Sequence, residues 1–110
     1  MRISDLKALP FVLHTSSAMD ANEIVGAYVG DLLSIVMKSA KTGNLLVTVN
    51  ATMNTVAVAV LIDLPAILFT ETEVVMESIV AKANAEGIAI FSTIKTSLDA
   101  ILELKARSLL

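Results

Sequence analysis

Acid–base chemistry in this sequence would have to come from very few side chains: His14, the sole histidine, and two acids beside predicted strand exits, Asp31 and Glu71. A hydrolytic triad needs a nucleophile, a base and an orienting group within hydrogen-bond reach of one another. Ser34, His14 and Asp31 supply the three types, but Ser34 stands in no Gly-x-Ser-x-Gly elbow, the turn that lifts such a nucleophile out of a sheet. One histidine among scattered carboxylates has no metal-ligand spacing, and without cysteine there is no thiolate for zinc or for nucleophilic attack. The glycine-rich phosphate loop with its lysine is absent, and Gly26 with Gly30 does not make the paired-glycine turn that cradles a dinucleotide. What remains is a set of hydroxyls, amides and small residues suited to a polar ligand: Tyr28, Gly30, Asp31, Ser34, Asn50, Asn54, Thr70 and Thr93. Most of these also have an architectural reading. Asp31 fits a helix cap, Asn50 and Asn54 fit turns and caps, and Tyr28 fits a half-buried ring with a hydrogen-bonded hydroxyl. By the same reasoning His14 is a solvated loop residue, and Met37, Met53 and Met76 fill the core.

The elements that would position these groups follow from hydrophobic spacing. Residues 4–9 read as a short helical turn, with Ile3, Leu6 and Leu9 spaced by three and Pro10 ending it. Residues 11–13 form a brief strand closing on His14. Residues 24–29 are β-like and run into Gly30 and then Asp31, which is placed to cap a helix carrying Leu32, Leu33, Val36, Met37 and Ala40. Lys38 and Lys41 suit that helix's C-terminal dipole, and Gly43 its stop. Residues 45–49 form a continuous apolar run, as a strand covered on both faces does. Residues 55–64 are ambiguous, because Val56, Val58 and Val60 alternate with alanines. Connectivity decides for a short buried helix: two parallel strands need a crossover of about a dozen residues, and no other segment between Val49 and Ala66 provides it. Residues 66–69 are a strand behind Pro65. Val75, Met76, Ile79, Val80 and Ala83 then make a helical stripe stopped by Gly87, residues 88–91 are the last strand, and a final helix carries Leu98, Ile101, Leu102, Lys105 and Leu109.

This alternation predicts one α/β domain over residues 1–110, a small three-layer sandwich with a mostly parallel sheet and helices on both faces. In such sheets ligands collect outside the carboxyl ends of the strands. The exits at Gly30 and Asp31, and at residues 50–54, 70–72 and 92–96, are therefore expected along one rim.

Composition narrows the partners. With 55% hydrophobic and 17% charged residues the chain is globular rather than disordered. Aromatics are only 4%, and eleven acids against eight bases give a net charge of −3 with no basic run, so no nucleic-acid partner is expected. Residues 42–62 carry no charge over about the length of a membrane span, yet Gly43, Asn44, Asn50, Asn54 and the threonines among them would be costly in hydrocarbon. Neither a membrane span nor a secretory signal is expected, and the lack of cysteine fits a cytoplasmic location. So few charges leave the exterior short of polar cover, which predicts a contiguous apolar patch and, through it, a two-fold homodimer.

The string Gly26-Ala27-Tyr28-Val29-Gly30-Asp31-Leu32-Leu33-Ser34, followed by Val36-Met37, resembles the central stretch of DRTGG-domain proteins. So do Val47-Thr48-Val49 and Asn54-Thr55-Val56-Ala57-Val58-Ala59. The likeness continues through Ala66-Ile67-Leu68, Lys82-Ala83 and Glu86-Gly87-Ile88, over nearly the whole chain. The Asp-Arg-Thr-Gly-Gly string that gives the family its name is not present. The resemblance implies a small α/β sandwich module, found alone or attached to CBS pairs and phosphotransacetylase-type enzymes, and similar to the N-terminal domain of HPr kinases. It implies a regulatory and dimerising role without catalysis, and it carries over Tyr28, Gly30, Asp31, Ser34 and Asn54 as motif positions.

The first expectation is therefore a stand-alone regulatory or ligand-sensing module, a homodimer with no cofactor that binds a small polar ligand or a partner protein. The second is a structural interaction protein whose apolar patch docks onto a larger enzyme complex. The third is a small enzyme using Asp31 or His14 at the rim for acid–base work.

Overall fold

Continuous apolar runs leave no polar face for water, and in the computed structural model, which describes residues 1–110, those in the middle and late sequence are buried central strands. In chain order the elements are β1 (Val12–Leu13), β2 (Ala27–Val29), α1 (Leu33–Ser39), β3 (Leu45–Thr48), α2 (Met53–Leu61), β4 (Ala66–Phe69), α3 (Glu77–Glu86), β5 (Ala89–Ser92) and α4 (Ser97–Ala106). Two 3-10 turns, Ile3–Ala8 and Ser17–Met19, flank β1. Every residue of β3, β4 and β5 is buried.

The sheet order is β1-β5-β4-β3-β2, with β2 to β5 parallel and β1 antiparallel to β5. β2 to β5 advance one place at a time in a single direction, so right-handed crossovers deliver α1, α2 and α3 to the same face. There Val36, Val56, Ala59, Ile79 and Ala83 share a core with Leu46, Ile67, Phe69 and Ile90. Strand alternation turns Leu45, Val47, Leu68 and Phe91 to the other face, where Ala100 and Leu104 of α4 cover them together with Ile3 and Leu6 of the first turn. The architecture is the three-layer α/β sandwich that the alternating pattern predicts.

α2 resolves the ambiguous valine–alanine segment as a helix. Val56, Val58 and Ala59 turn toward the sheet, while Leu61 is 67% exposed. Connectivity outweighs β propensity here because β3 and β4 cannot pair in parallel without a crossover. The uncharged stretch 42–62 is thereby divided between a strand and a nine-residue helix. No helix of the chain is long and apolar enough to cross a membrane.

Local signals fail where tertiary contacts are stronger. Asp31 does not cap α1, whose N-cap position is Leu32 and has no side-chain cap. α3 begins at Glu77, so Val75 and Met76 lie in the connection before it. Met37, Met53 and Met76 are exposed rather than core filling, and Met19 is the methionine buried in the core. The stop at Gly87 is as expected: its left-handed backbone (φ 72°) is the C-cap of α3.

Candidate ligand rim

Parallel strands point their exits one way, so the loops after β2, β3, β4 and β5 share one edge of the sheet. At the β2/β3 end, Asp31 Oδ1 accepts hydrogen bonds from the Thr48 hydroxyl at 3.0 Å and the Val49 N–H at 2.9 Å. Thr48 is the fully buried last residue of β3, and its oxygen also accepts from the Asn50 N–H at 3.1 Å. Asn50 donates through Nδ2 to the Asp31 carbonyl (3.3 Å) and accepts through Oδ1 from the Thr52 hydroxyl (3.0 Å). The Thr55 hydroxyl donates to the Asn50 carbonyl, and Thr52 caps α2 by accepting the Thr55 N–H at 3.4 Å. Asn50 thus has the turn role its type suggests, while the cap belongs to Thr52 and not to Asn54. Asp31, Thr48 and Asn50 tie the β2 exit to the β3 exit.

The other candidates stand around this brace. Tyr28 is half-buried with its ring against Gly30, where a Cβ would lie 2.9 Å from the ring. Glycine at position 30 leaves room for the ring there, and a larger residue would require the ring to shift. Ser34 and Asn54, in the first turns of α1 and α2, are exposed, as are the apolar Val29, Leu32, Val49 and Met53. The strand exits bring Tyr28, Gly30, Asp31, Ser34, Asn50 and Asn54 to this end of the rim. Thr70 and Thr93 lie at the other end, both buried. Thr70 shares a hydrogen bond with the Ser97 hydroxyl (2.8 Å), and Thr93 donates to the Pro10 carbonyl (3.4 Å). Between them, Glu71 has a left-handed backbone (φ 60°), and its N–H donates to the Lys95 carbonyl.

No cavity divides the rim. One of about 280 Å³ is lined by Pro10, Val12, Glu73, Thr93, Ile94 and Lys95. A larger one of about 450 Å³ opens at the opposite end of the strands, among Glu23, Asp63 and Glu86. Strand order gives the reason: a crevice at the strand exits forms where the order reverses, and β2 to β5 never reverse. No three His, Asp or Glu side chains gather closely enough to hold a metal ion.

His14 is not a solvated loop residue. Its Nε2 lies 2.7 Å from the Ser92 hydroxyl, which is 3.3 Å from the Glu73 carbonyl, and burial holds the ring below the usual histidine value. Ser92 is itself fully buried on β5, so the pair joins β1 to β5 and does not face a cleft. The sequence reading missed this contact, along with Thr48 and Thr55. The available signal was a hydroxyl inside an apolar run, since a buried hydroxyl has to find a partner.

No family model matches the chain, and no curated protein matches it. Among solved structures it resembles the CBS and DRTGG domains of the regulatory region of Clostridium perfringens pyrophosphatase, complexed with the activator diadenosine tetraphosphate. The TM-score is 0.69 at 12% identity, covering 92% of this chain and 44% of that one. The chain therefore spans less than half the length of that structure. The likeness is one of fold, and it supports a DRTGG-related architecture.

Proposed function

We propose that the chain is a DRTGG-like, non-catalytic regulatory module that works as a homodimer and reads a small polar ligand at the β2/β3 end of the rim. The observation that carries this reading is the fold shared, over 92% of the chain, with a regulatory region that was solved with its nucleotide activator. Exposed Ser34, Asn54 and Asp31 offer hydrogen bonds beside apolar contact from Val29 and Leu32. Asp31 is the only charge among the six candidates at that end, which favours a neutral or cationic ligand over a polyphosphate. Thermal-shift measurements with adenosine, AMP, diadenosine tetraphosphate and acetyl phosphate test the sensing role. A ligand at about 100 times its Kd stabilises by about 2.7 kcal/mol. The expected pattern is a larger rise with adenosine than with the phosphates, and no rise with any of the four removes the sensing reading.

A second reading, a structural protein docking onto a larger complex, is favoured by the β4/β5 end. Val74, Met76, Ile94 and Leu98 are each about two-thirds or more exposed, the first three on two loops joined by Glu71 and Thr72 N–H bonds to the Lys95 and Thr93 carbonyls and Leu98 in the first turn of α4. A stoichiometric protein partner retained through gel filtration would support it.

A further inference from the structure

β2 ends the sheet, and its outer edge is open. The Gly26 carbonyl accepts from the Leu45 N–H (3.0 Å), and the Gly30 N–H donates to the Val47 carbonyl (3.1 Å). The alternation of a parallel pair therefore turns the backbone groups of Tyr28 toward β3 and those of Ala27 and Val29 away from it. Just before this stretch the outer edge is occupied: Met1 and Ile24 exchange hydrogen bonds of 3.0 and 2.6 Å, and Arg2 bridges Glu23. Edge strands are commonly blunted by charge, proline or brevity. β1, at the other edge, is two residues long and follows Pro10 closely, whereas residues 24–30 around β2 contain neither charge nor proline.

Resting on the homodimer reading above, we infer that two copies of this chain join along β2 in antiparallel register about a two-fold axis. Ala27 of each lies opposite Val29 of the other, Tyr28 lies opposite its own counterpart, and two five-stranded sheets become one of ten. The edge is self-complementary, because the outward groups of Ala27 and Val29 on both strands pair completely with each other. Charge agrees with this register. Asp31 of each copy falls opposite the partner's uncharged Val25, and the strand contact between is uncharged, which suits a chain of net charge −3 meeting its copy. A stable interface takes about 800 Å² per partner, about a seventh of this chain's 5549 Å². A three-residue strand cannot supply that alone, so the exposed flanks Val25, Val29 and Leu32 belong to the contact.

Sedimentation velocity from micromolar to hundreds of micromolar tests this pairing. Val29→Pro removes an outward N–H that the single chain does not use, and Val29→Lys sets a charge on each side of the axis. Each variant should keep native far-UV circular dichroism and weaken the dimer about tenfold or more. Tyr28 is the only tyrosine and there is no tryptophan, so acrylamide quenching of its emission should fall as the wild-type chain dimerises. A dimeric wild type with equally dimeric, folded variants overturns the β2 contact and leaves the homodimer reading standing. A wild type still monomeric at hundreds of micromolar overturns both. Should the variants unfold, quenching that does not change across the wild-type monomer–dimer transition overturns the β2 contact.

Discussion

Replacing Asp31 by alanine separates a strand brace from a helix cap. Asp31 Oδ1 holds the Thr48 hydroxyl at 3.0 Å and the Val49 N–H at 2.9 Å, and α1 starts two residues later with no side-chain cap. Hydrogen bonds to an ionised group contribute about 1.5–3 kcal/mol. Asp31 is exposed and solvent screens its charge, so each bond contributes only the ordinary ~1 kcal/mol, about 2 kcal/mol for the two together. At about 4–8 °C per kcal/mol for a domain near this size, Asp31→Ala should melt roughly 8–16 °C below the wild type. Asp31→Asn keeps an acceptor in place and should recover most of that loss. Thr48→Val removes the buried hydroxyl at nearly constant volume, leaving both the carboxylate and the Asn50 N–H short of a partner. Urea unfolding of the wild type, the two single variants and the double variant completes the cycle. The brace requires the double variant to lose less than the sum of the singles, by about 0.5–1.5 kcal/mol. Additivity within about 0.5 kcal/mol, as a cap acting on α1 alone would give, refutes it.

His14 gives stability a pH dependence of definite sign. Burial lowers its folded pKa below the unfolded 6.5, so the unfolded chain binds more protons in that interval. The contribution is complete above 6.5 and is lost as pH falls through the lower folded value. Urea midpoints should decline there, and His14→Gln should flatten that part of the profile because no other histidine is present; an unchanged profile in the variant contradicts the assignment. Ile67→Ala, at a fully buried site under α2 and α3, should cost about 2–5 kcal/mol, while Leu61→Ala on the outer side of α2 stays within about 0.5 kcal/mol. Equal losses in chemical denaturation would mean that α2 turns a different face to the sheet.

Strand and helix identities were legible because the central strands are apolar throughout and because covalent connection limits what can lie between parallel neighbours. The helix at residues 53–61 shows this, since the parallel pairing of β3 and β4 requires it while its own valines and alanines leave helix and strand open. Cap assignments were less legible. Asp31 has the type and position of an N-cap, yet a hydroxyl and an N–H at the end of β3 compete for the same carboxylate, and nothing local to residue 31 shows that they arrive there. Met76 has the spacing of a core residue, but its helix begins one residue later and leaves it outside. His14 and Ser92 are 78 positions apart and meet only because β1 runs antiparallel to β5. The common rim follows from parallel strands, but its lack of a central crevice depends on strand order, which the hydrophobic pattern does not encode.

On the readings proposed here, Asp31 would couple ligand binding to assembly without a large conformational change. One carboxylate oxygen braces β3, the same residue borders the candidate ligand surface, and in the paired β2 edge it lies opposite the partner's Val25. A neutral ligand that buries Val29 and Leu32 between the copies strengthens the dimer. Linkage requires dimerisation to change ligand affinity by the same factor. A tenfold effect needs about 1.4 kcal/mol, within reach of a single charge-assisted hydrogen bond. On these readings, the position of Asp31 links a ligand at the rim to the β2 contact between the copies.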